Sequence, residues 1–339
     1  MPLDKESVMK KKYAVIEIGT RGIRLLIAEA NKNGIKEIIH SSGDLSELGN
    51  SVDAKGNISQ RAINHVAKIV DDYVSLAETK GATDIFAVAT EVVRAAPNRN
   101  ELGDILSKTV DFKILTNEEE SLYSFIATVD AFRDHYRANY TLATIDQGGG
   151  STELTIGTVD ENGDITLDEI YNLNLGTIML SRIFLDDKDL GKGFNRTRQK
   201  IKEELSKYRI STKLLHSKNT MAVGLGSSLT SYARGLLAQQ TGSLPQLYEL
   251  HGKVLDVATM DKKIKDTEPA LKGKTPKDFG NKLTKDSDLT TLVSGILTYH
   301  EILKLYHIDK IYLSRNGMRY GALLWLAGMR CGISKDIII

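Results

Sequence analysis

The sequence predicts an α/β protein with two domains of similar construction. Apolar segments of strand length alternate with amphipathic segments of helix length in both halves of the chain, a pattern typical of α/β folds. Residues 13–29 and 142–157 each combine an apolar strand, one carboxylate, a glycine turn and a second strand. The length of 339 residues suits two domains of ordinary size. We therefore expect two related domains with a cleft between them.

Residues 142–157, LATIDQGGGSTELTIG, carry the clearest chemical pattern. An apolar strand ends at Asp146, three consecutive glycines and a Ser-Thr pair follow, and a second strand continues. Glycines allow backbone N–H groups to approach an anion, hydroxyl groups add donors, and a carboxylate holds a neutralising cation. No Lys-Ser/Thr pair and no helix follow the glycines, which excludes a Walker A loop and a dinucleotide fingerprint. The segment predicts a phosphate loop, with an ordinary glycine-rich hairpin as the alternative.

Residues 13–29, YAVIEIGTRGIRLLIAE, repeat this pattern about 130 residues earlier. One carboxylate, Glu17, precedes the Gly19–Thr20 turn, and Arg21 adds a positive charge. A second copy favours phosphate loops over ordinary hairpins. Paired units of this kind are typical of the actin-like ATPase and sugar-kinase superfamily. The predicted fold is therefore two actin-like domains (sugar kinase/Hsp70/actin superfamily, ribonuclease H-like) that flank a cleft.

We predict that residues 1–125 form the first actin-like domain and residues 126–339 the second, with the last helix packing back on the first. Helical periodicity covers residues 58–79, and strands are expected at residues 84–89, 112–115 and 310–313. The segment between the first two of these strands is expected to be a turn that carries Arg94. Residues 246–258 are expected to be helical. The lysine-rich stretch from residue 261 to 285 contains Pro and Gly residues and interleaved acids, which favours an irregular, solvated loop.

The composition excludes several classes of protein. Apolar residues make up 41% of the chain and charged residues 26%, as in soluble globular proteins. The formal net charge of +1 indicates neither a nucleic-acid partner nor a membrane surface. One cysteine rules out an internal disulfide, and the sequence contains no signal-peptide pattern or membrane-spanning apolar run. We expect a cytoplasmic protein.

Residues 116–125, TNEEESLYSF, are the second candidate for chemistry. Asn117 is a good N-cap, and Glu120 lies three residues further on, as in a capping box. Acidic residues in a first helical turn are also stabilised by the helix dipole. The alternative is a general base that takes a proton from an attacking water, and spacing alone does not choose among the three glutamates. For Arg94 and Arg319 the sequence likewise leaves two alternatives, a structural role and a phosphate-binding role.

These segments together resemble the exopolyphosphatase/guanosine pentaphosphate phosphohydrolase (Ppx/GppA) family in its short, two-domain form. The resemblance covers nearly the whole chain, and the pairing of DQGGGSTEL with the preceding glutamate-rich segment is specific to it. The matching segments lie at residues 17–24, 89–98, 116–125, 146–154, 173–185, 224–229, 247–252 and 314–321.

The resemblance implies hydrolysis of a terminal phosphoanhydride in inorganic polyphosphate or guanosine pentaphosphate, with magnesium or manganese, by a homodimer. The expected partners are polyphosphate or guanosine penta/tetraphosphate. By position, Glu120 resembles the general base, Glu153 an acid that organises water and metal, and Arg94 a phosphate clamp. The implied metal ligands are Asp146, Glu17 and Glu153. The residues expected to bind phosphate are Gly19, Thr20, Arg21, Gly148, Gly149, Gly150, Ser151, Gly224, Gly226, Ser227 and Arg319.

The chain departs from the family pattern at several positions. Glu17 stands where the family has Asp, and Arg21 where it has Asn. The other departures are at Met179, Ser227 and Tyr320. Two functions therefore remain open: an active phosphohydrolase, or a slow or inactive sensor module that binds polyphosphate or a guanosine alarmone. An ATP-dependent kinase of the same superfold is a third possibility.

Overall fold

A computed structural model describes residues 11–135, 139–186, 188–208, 219–275 and 287–338. The strands, in chain order, are β1 (Lys12–Ile18), β2 (Gly22–Asn31), β3 (Gly34–Leu45), β4 (Asp84–Ala89), β5 (Asp111–Ile114), β6 (Tyr140–Gln147), β7 (Thr152–Val159), β8 (Ile165–Leu173), β9 (Thr220–Leu225), β10 (Val254–Asp256), β11 (Lys310–Leu313) and β12 (Gly332–Ile338).

The helices alternate with these strands. In chain order they are α1 (Gln60–Thr79), α2 (Glu91–Ala95), α3 (Arg99–Leu106), α4 (Asn117–Ala131), α5 (Thr177–Leu185), α6 (Leu190–Leu205), α7 (Ser227–Thr241), α8 (Val257–Leu271), α9 (Ser287–Leu305) and α10 (Met318–Leu326). Short 3-10 helices span Leu48–Asn50 and Leu247–Leu250. Among the described helices, none has the length and apolar character needed to cross a membrane.

The chain divides into two compact units. The first contains the residues up to Thr116 together with Arg319–Arg330, and the second contains Asn117–Met318 together with the residues from Cys331 onward. The predicted boundary between residues 125 and 126 falls inside α4, which belongs entirely to the second unit. Most of α10 is grouped with the first unit, although the chain reaches it from the second.

The two units contain sheets of the same central topology. Among the described residues, the strand order is β3-β2-β1-β4-β5 in the first sheet and β10-β11-β9-β6-β7-β8-β12 in the second. In each, three antiparallel strands (β1–β3 or β6–β8) continue into parallel strands (β4 and β5, or β9 and β11). The second sheet adds β10 and β12 at its edges. The predicted α/β class is confirmed.

Local sequence explains the elements that the pattern predicted well. The apolar residues of α1 recur every three or four positions, which buries Ile63, Val66 and Val70 in the core of the first unit. The Ser59 hydroxyl accepts a hydrogen bond from the Ala62 N–H and caps this helix. In the second unit, Gly157 allows α4 to pack closely on β7, because a Cβ there would lie 2.5 Å from Cζ of Phe125.

Three predictions from the sequence are wrong. The segment around Arg94 was expected to be a turn but forms helix α2. Residues 246–258 contain a 3-10 helix and strand β10 rather than one helix. The stretch from residue 261, expected to be irregular, continues helix α8 to Leu271 with Pro269 in its last turn. The rest of that stretch, from residue 276, lies outside the described residues. Strand β12 was not predicted at all, although it pairs in parallel with β8.

Candidate functional site

Two facing carboxylates lie at the end of the β6–β7 hairpin in the second unit. Asp146 and Glu153 are directly opposed in the antiparallel register, one pair away from the four-residue loop that contains the glycines. Glu153 is buried, with 4% of its surface exposed, and accepts a hydrogen bond from the Ser151 hydroxyl. Side chains opposed in this way have Cβ atoms about 5 Å apart. The hairpin therefore presents two acidic groups side by side beneath a glycine loop.

Helix α5 orients the glycine loop. The first N–H groups of α5, at Thr177 and Ile178, donate to the carbonyl oxygens of Gly148 and Gly149 at 3.2 and 2.8 Å. Each carbonyl shares a trans peptide unit with the next N–H, and the two groups point in opposite directions. The N–H groups of Gly149 and Gly150 therefore point away from α5.

Close packing explains a glycine outside the loop. A Cβ on Gly176, at the N-cap of α5, would overlap the backbone of Gly150, so only glycine allows this approach. The Gly148 N–H donates to the Ser151 carbonyl at 2.9 Å, which closes the loop. Gly148 and Ser151 were both expected to bind phosphate. In this arrangement the Gly148 N–H and the Ser151 hydroxyl have partners within the hairpin.

Helix α4 brings a third carboxylate toward the same hairpin. The hydroxyl of Ser124 donates to Oδ2 of Asp146 at 2.6 Å, which fixes one face of α4 against β6. Glu120 precedes Ser124 by four residues, so it lies on that face one turn nearer the N-terminus, about 40° away around the axis. Glu118 and Glu119 are turned about 120–140° away from Ser124. Of the three glutamates, Glu120 therefore lies closest in angle to the face of α4 that contacts Asp146.

The start of α4 differs slightly from the prediction. The helix begins at Asn117, so the residue expected as N-cap is the first helical residue. Glu118, Glu119 and Glu120 all lie in the first turn and are partly exposed. A carboxylate in the first turn is stabilised in its ionised form by the helix dipole. This environment suits a proton acceptor.

A buried tyrosine lies below the carboxylate pair. Tyr299 is fully buried, and its hydroxyl donates to the carbonyl oxygen of Leu225. Burial, followed by the negative charges of Asp146 and Glu153, holds the pKa of Tyr299 well above its ordinary value. The tyrosine therefore stays protonated and supports the backbone beneath the hairpin.

The β1–β2 hairpin of the first unit has the same backbone geometry. The Gly19 N–H donates to the Gly22 carbonyl at 2.9 Å, as Gly148 does to Ser151. Thr20 is held from outside the loop, because its carbonyl accepts the Gly49 N–H at 3.0 Å and the Ser46 hydroxyl at 3.1 Å. Arg21 is exposed at the tip of the loop.

The side chains at this hairpin differ from those of the second unit. Glu17 faces Arg24 in the register, at the position where Asp146 faces Glu153. Its Oε1 lies 3.8 Å from Nη1 of Arg24, and its Oε2 lies 3.6 Å from Nη1 of Arg319. Arg319 also lies over the ring of Tyr320, 5.3 Å from the ring centroid. The carboxylate implied as a metal ligand is thus placed between two guanidinium groups.

Arg94 lies in α2 of the first unit. One of its N–H groups donates to the carbonyl of Leu115 at 2.8 Å, close to the end of β5. Burial raises the pKa of the neighbouring Glu91, which the charge of Arg94 partly opposes.

The β9–α7 turn contains the remaining predicted phosphate ligands. Gly224 lies inside buried strand β9, where a Cβ would overlap the side chain of Leu229, so its role there is packing. Gly226 has a φ of 114° and lies against Gln147, whose carbonyl oxygen would be 2.5 Å from a Cβ. Ser227 is the exposed first residue of α7. Gly226 and Ser227 thus adjoin the end of β6.

The donor set fits a divalent cation at the second hairpin. Within the described ranges, no group of three or more His, Cys, Asp or Glu side chains is arranged to hold a metal. Magnesium, however, is often held by one or two carboxylates and completed by substrate phosphates and water. Asp146 and Glu153 supply two such carboxylates. Glu17, with a guanidinium on each side, fits a metal ion poorly.

Two departures from the family pattern have clear surroundings. Met179, where the family often has Arg, is partly buried and packs against the core of the second unit. Tyr320, where Glu is usual, is buried and lies beside Arg319. Ser124 and Arg24 were not predicted as site residues from the sequence. In the sequence they are marked only by their spacing: Ser124 lies four residues after Glu120, and Arg24 lies seven residues after Glu17.

Several curated proteins are similar to this chain in sequence. Exopolyphosphatase 1 of Mycobacterium tuberculosis (strain ATCC 25618 / H37Rv) is 28% identical over 186 residues, covering 53% of this chain and 51% of that protein. A bifunctional 3-dehydroquinate synthase/phosphatase of Fusobacterium nucleatum is 25% identical over 327 residues, covering 92% of this chain and 46% of that protein. The chain spans about half the length of these curated relatives.

Solved structures resemble the chain over most of its length. The Aquifex aeolicus member of the Ppx/GppA protein family has a TM-score of 0.74 at 24% identity and covers 93% of this chain and 97% of its own. An exopolyphosphatase from Cytophaga hutchinsonii also has a TM-score of 0.74, at 18% identity, covering 95% of this chain and 100% of its own. The likeness confirms the predicted actin-like fold.

The family model agrees with the motif order. A model of the Ppx/GppA phosphatase family matches residues 26–328. The match begins within β2, after the glycine turn where Glu17 and Arg21 depart from the family pattern. With most of the chain matched, this protein belongs to the Ppx/GppA phosphatase family.

Proposed function

We propose that this protein is a phosphoanhydride hydrolase that releases terminal phosphate from inorganic polyphosphate. The observation that carries the proposal is the placement of Glu120 on the face of α4 that Ser124 attaches to Asp146. Under this proposal the carboxylates of Glu120, Asp146 and Glu153 lie at the β6–β7 hairpin, and its glycine loop presents N–H groups to phosphate oxygens. Phosphoryl transfer depends on positioning and charge neutralisation more than on covalent chemistry, and this arrangement supplies both.

Each residue has a defined task in the proposed reaction. Glu120 accepts a proton from the attacking water, and the N-terminal position on α4 keeps its carboxylate ionised. The N–H groups of Gly149 and Gly150 bind phosphate oxygens. Asp146 and Glu153 would hold magnesium or manganese, which supplies positive charge to the phosphate oxygens when bound. The hydrogen bonds from Ser124 and Ser151 orient these two carboxylates.

The first hairpin is proposed as a purely anion-binding element. Arg21, Arg24 and Arg319 carry positive charge near the Gly19–Thr20 turn, and Glu17 orients the latter two arginines. Guanidinium groups bind phosphate oxygens strongly and in defined geometry. Under this proposal Glu17 is a positioning residue rather than a metal ligand.

Guanosine pentaphosphate is the second candidate substrate, because it presents a similar run of phosphates. The alternative function is a sensor module that binds polyphosphate or a guanosine alarmone with little or no hydrolysis. One observation favours the sensor function. Glu17 stands at the position where the family has Asp, and its charge is neutralised by two neighbouring arginines. The homodimer and the cytoplasmic location stay predictions.

A substrate panel tests the proposal. Purified protein is incubated with long-chain polyphosphate or guanosine pentaphosphate, with magnesium or manganese in turn, and released phosphate is measured. We expect release from polyphosphate that chelation of the metal abolishes. Release from guanosine pentaphosphate alone would reassign the substrate. Binding of either ligand without release under any condition would establish the sensor function instead, and neither binding nor release would refute both.

A further inference from the structure

Two of the matching motifs, at residues 247–252 and 314–321, meet at a histidine that has no part in the site described above. His251 follows the 3-10 helix Leu247–Leu250, and the chain turns at Gly252, whose φ of 76° favours glycine. The Gly252 N–H donates to the Leu313 carbonyl at 2.9 Å. The backbone that carries His251 is therefore attached to the end of β11.

The imidazole of His251 joins two separate segments. Its Nδ1 accepts the backbone N–H of Arg315, which follows β11, at 3.4 Å. The ring is also within interaction range of the backbone of Ala131, which acts to raise its pKa as a carbonyl acceptor would. The ring of Phe132 lies beside it, with centroids 5.3 Å apart and planes tilted by 43°. The histidine thus contacts both the end of α4 and the chain beyond β11.

Ala131 is the last residue of α4, and the last carbonyls of a helix have no partner within it. The body of α4 is buried from Ser121 to Val129, so the helix is enclosed along its length. Glu120 lies eleven residues before Ala131, about 16 Å along the axis. A bond that holds the last turn of an enclosed helix therefore also limits movement of its first turn.

The hydrogen bond from Arg315 defines the protonation state of the ring. Because Nδ1 accepts a hydrogen bond, the proton of a neutral ring must be on Nε2. Burial lowers the pKa of His251, and nearby His135 and Arg315 lower it further, while the bond to Ala131 opposes them. Tyr312 of β11 contacts the neighbouring rings of Phe132 and His135. A second proton on the ring would place two N–H groups against each other at Arg315.

We propose that His251 is a positioning residue for hydrolysis: as a neutral imidazole it holds the C-terminal end of α4 to the segment after β11 and thereby sets the position of Glu120. This inference rests on the proposed function. A displacement of about 1 Å at a catalytic group costs on the order of 10²-fold in rate. Small movements of α4 therefore suffice to change kcat without changing the substrate-binding loops.

Kinetics of three variants test this role. We expect His251→Ala to lower kcat about tenfold or more while KM stays within about twofold. His251→Gln keeps a side-chain amide that is able to donate to the Ala131 carbonyl, and should recover most of kcat. His135→Ala is the matched control, because His135 packs edge-on against the same Phe132 and Tyr312 rings. It should keep the wild-type kcat.

Thermal unfolding establishes that each variant is folded at the assay temperature. If His251→Ala is unfolded at the assay temperature, the kcat values of His251→Gln and His135→Ala are compared with the wild-type kcat instead. A wild-type kcat in folded His251→Ala, or an equal loss of kcat in His135→Ala, would overturn the proposal.

A spectroscopic measurement separates this inference from the proposed hydrolysis. In protein labelled with ¹⁵N at histidine, the ring shifts of His251 should show a proton on Nε2 and no titration until the pH is below the ordinary value of 6.5. This result does not depend on substrate. If wild type released no phosphate, the hydrolase proposal would fail by itself. A proton on Nδ1, or titration at the ordinary value, would refute the bridging role of His251 whether or not phosphate is released.

Discussion

The two glycine hairpins have the same backbone and opposite chemistry. Both close with an N–H to carbonyl bond across four residues, and both place one acidic side chain opposite a second side chain one pair from the loop. In the first hairpin that pair is Glu17 and Arg24. In the second it is Asp146 and Glu153. The two hairpins therefore share a backbone geometry but differ in the charge of this side-chain pair.

The difference in charge indicates a difference in ligand. Two facing carboxylates repel one another unless a cation lies between them or one takes up a proton. A carboxylate between two guanidinium groups needs no cation, and its neighbours retain hydrogen-bond donors for an anion. Similar folds often support different chemistry because function depends on the side chains of the site. In this molecule the comparison can be made within a single chain.

The largest expected effect concerns the helix that serves the second hairpin. Glu120→Gln should lower kcat by about 10²–10⁴ while substrate binding stays within a few-fold, because an amide keeps the shape but accepts no proton. Phosphate release and equilibrium binding of polyphosphate measure the two quantities. Glu119→Gln is the matched control and should keep at least half of the wild-type rate. A larger loss in Glu119→Gln than in Glu120→Gln would show that the wrong glutamate has been chosen.

Metal dependence tests the contrast between the hairpins directly. Asp146→Asn should raise the magnesium concentration for half-maximal rate about tenfold or more, because a neutral ligand replaces a charged one. Glu17→Gln should leave that concentration unchanged and alter the salt dependence of substrate binding instead. Metal titrations of both variants provide the measurement. Equal shifts in the two variants would mean that both hairpins hold the metal, and the proposed division of tasks would be wrong.

Arg21 tests the anion-binding role of the first hairpin. If its guanidinium binds phosphate, Arg21→Asn should weaken polyphosphate binding roughly tenfold, the equivalent of a charge-assisted bond of about 1.5 kcal/mol, and reduce the salt dependence. The alternative is that Arg21 acts on the electrostatics of Glu17, which would change metal affinity more than substrate affinity. Titration of both ligands against the same variant distinguishes these outcomes.

The smallest effect concerns stability away from either hairpin. Asp261 has a pKa lowered to about 2, first by the hydrogen bond from Lys265 and then by that from His300, while burial opposes the shift. A lowered carboxyl pKa stabilises the fold above the ordinary value of 3.8, and this contribution is lost as the pH falls toward 2. The melting temperature of Asp261→Asn should therefore be below wild type at pH 7, and the two should converge in acid. A constant difference across this range would contradict the assignment.

Much of the architecture could be predicted from local pattern. The strands at residues 84–89 and 310–313 and the long helix α1 have clear apolar periodicity, and both hairpins are marked by glycine between strands. The missed elements lack such a pattern. Among the described residues, β10 has three residues and pairs with β11 at the edge of the sheet, while β12 pairs with the outer side of β8. Such strands form because a partner is present, and no short-range signal reveals that partner.

The sequence by itself determined the α/β class, the pair of strand–acid–glycine–strand hairpins and the order of motifs, because these follow from periodicity and local backbone preference. Only the tertiary structure decided which side chains meet. Ser124, which binds Asp146, lies on the same face of α4 as Glu120, and Arg24 and Arg319 lie on either side of Glu17. These contacts join residues that are far apart along the chain or on neighbouring strands. The physical reason is that charge and hydrogen bonding act over a few ångströms in space, a distance that spacing in the sequence does not report.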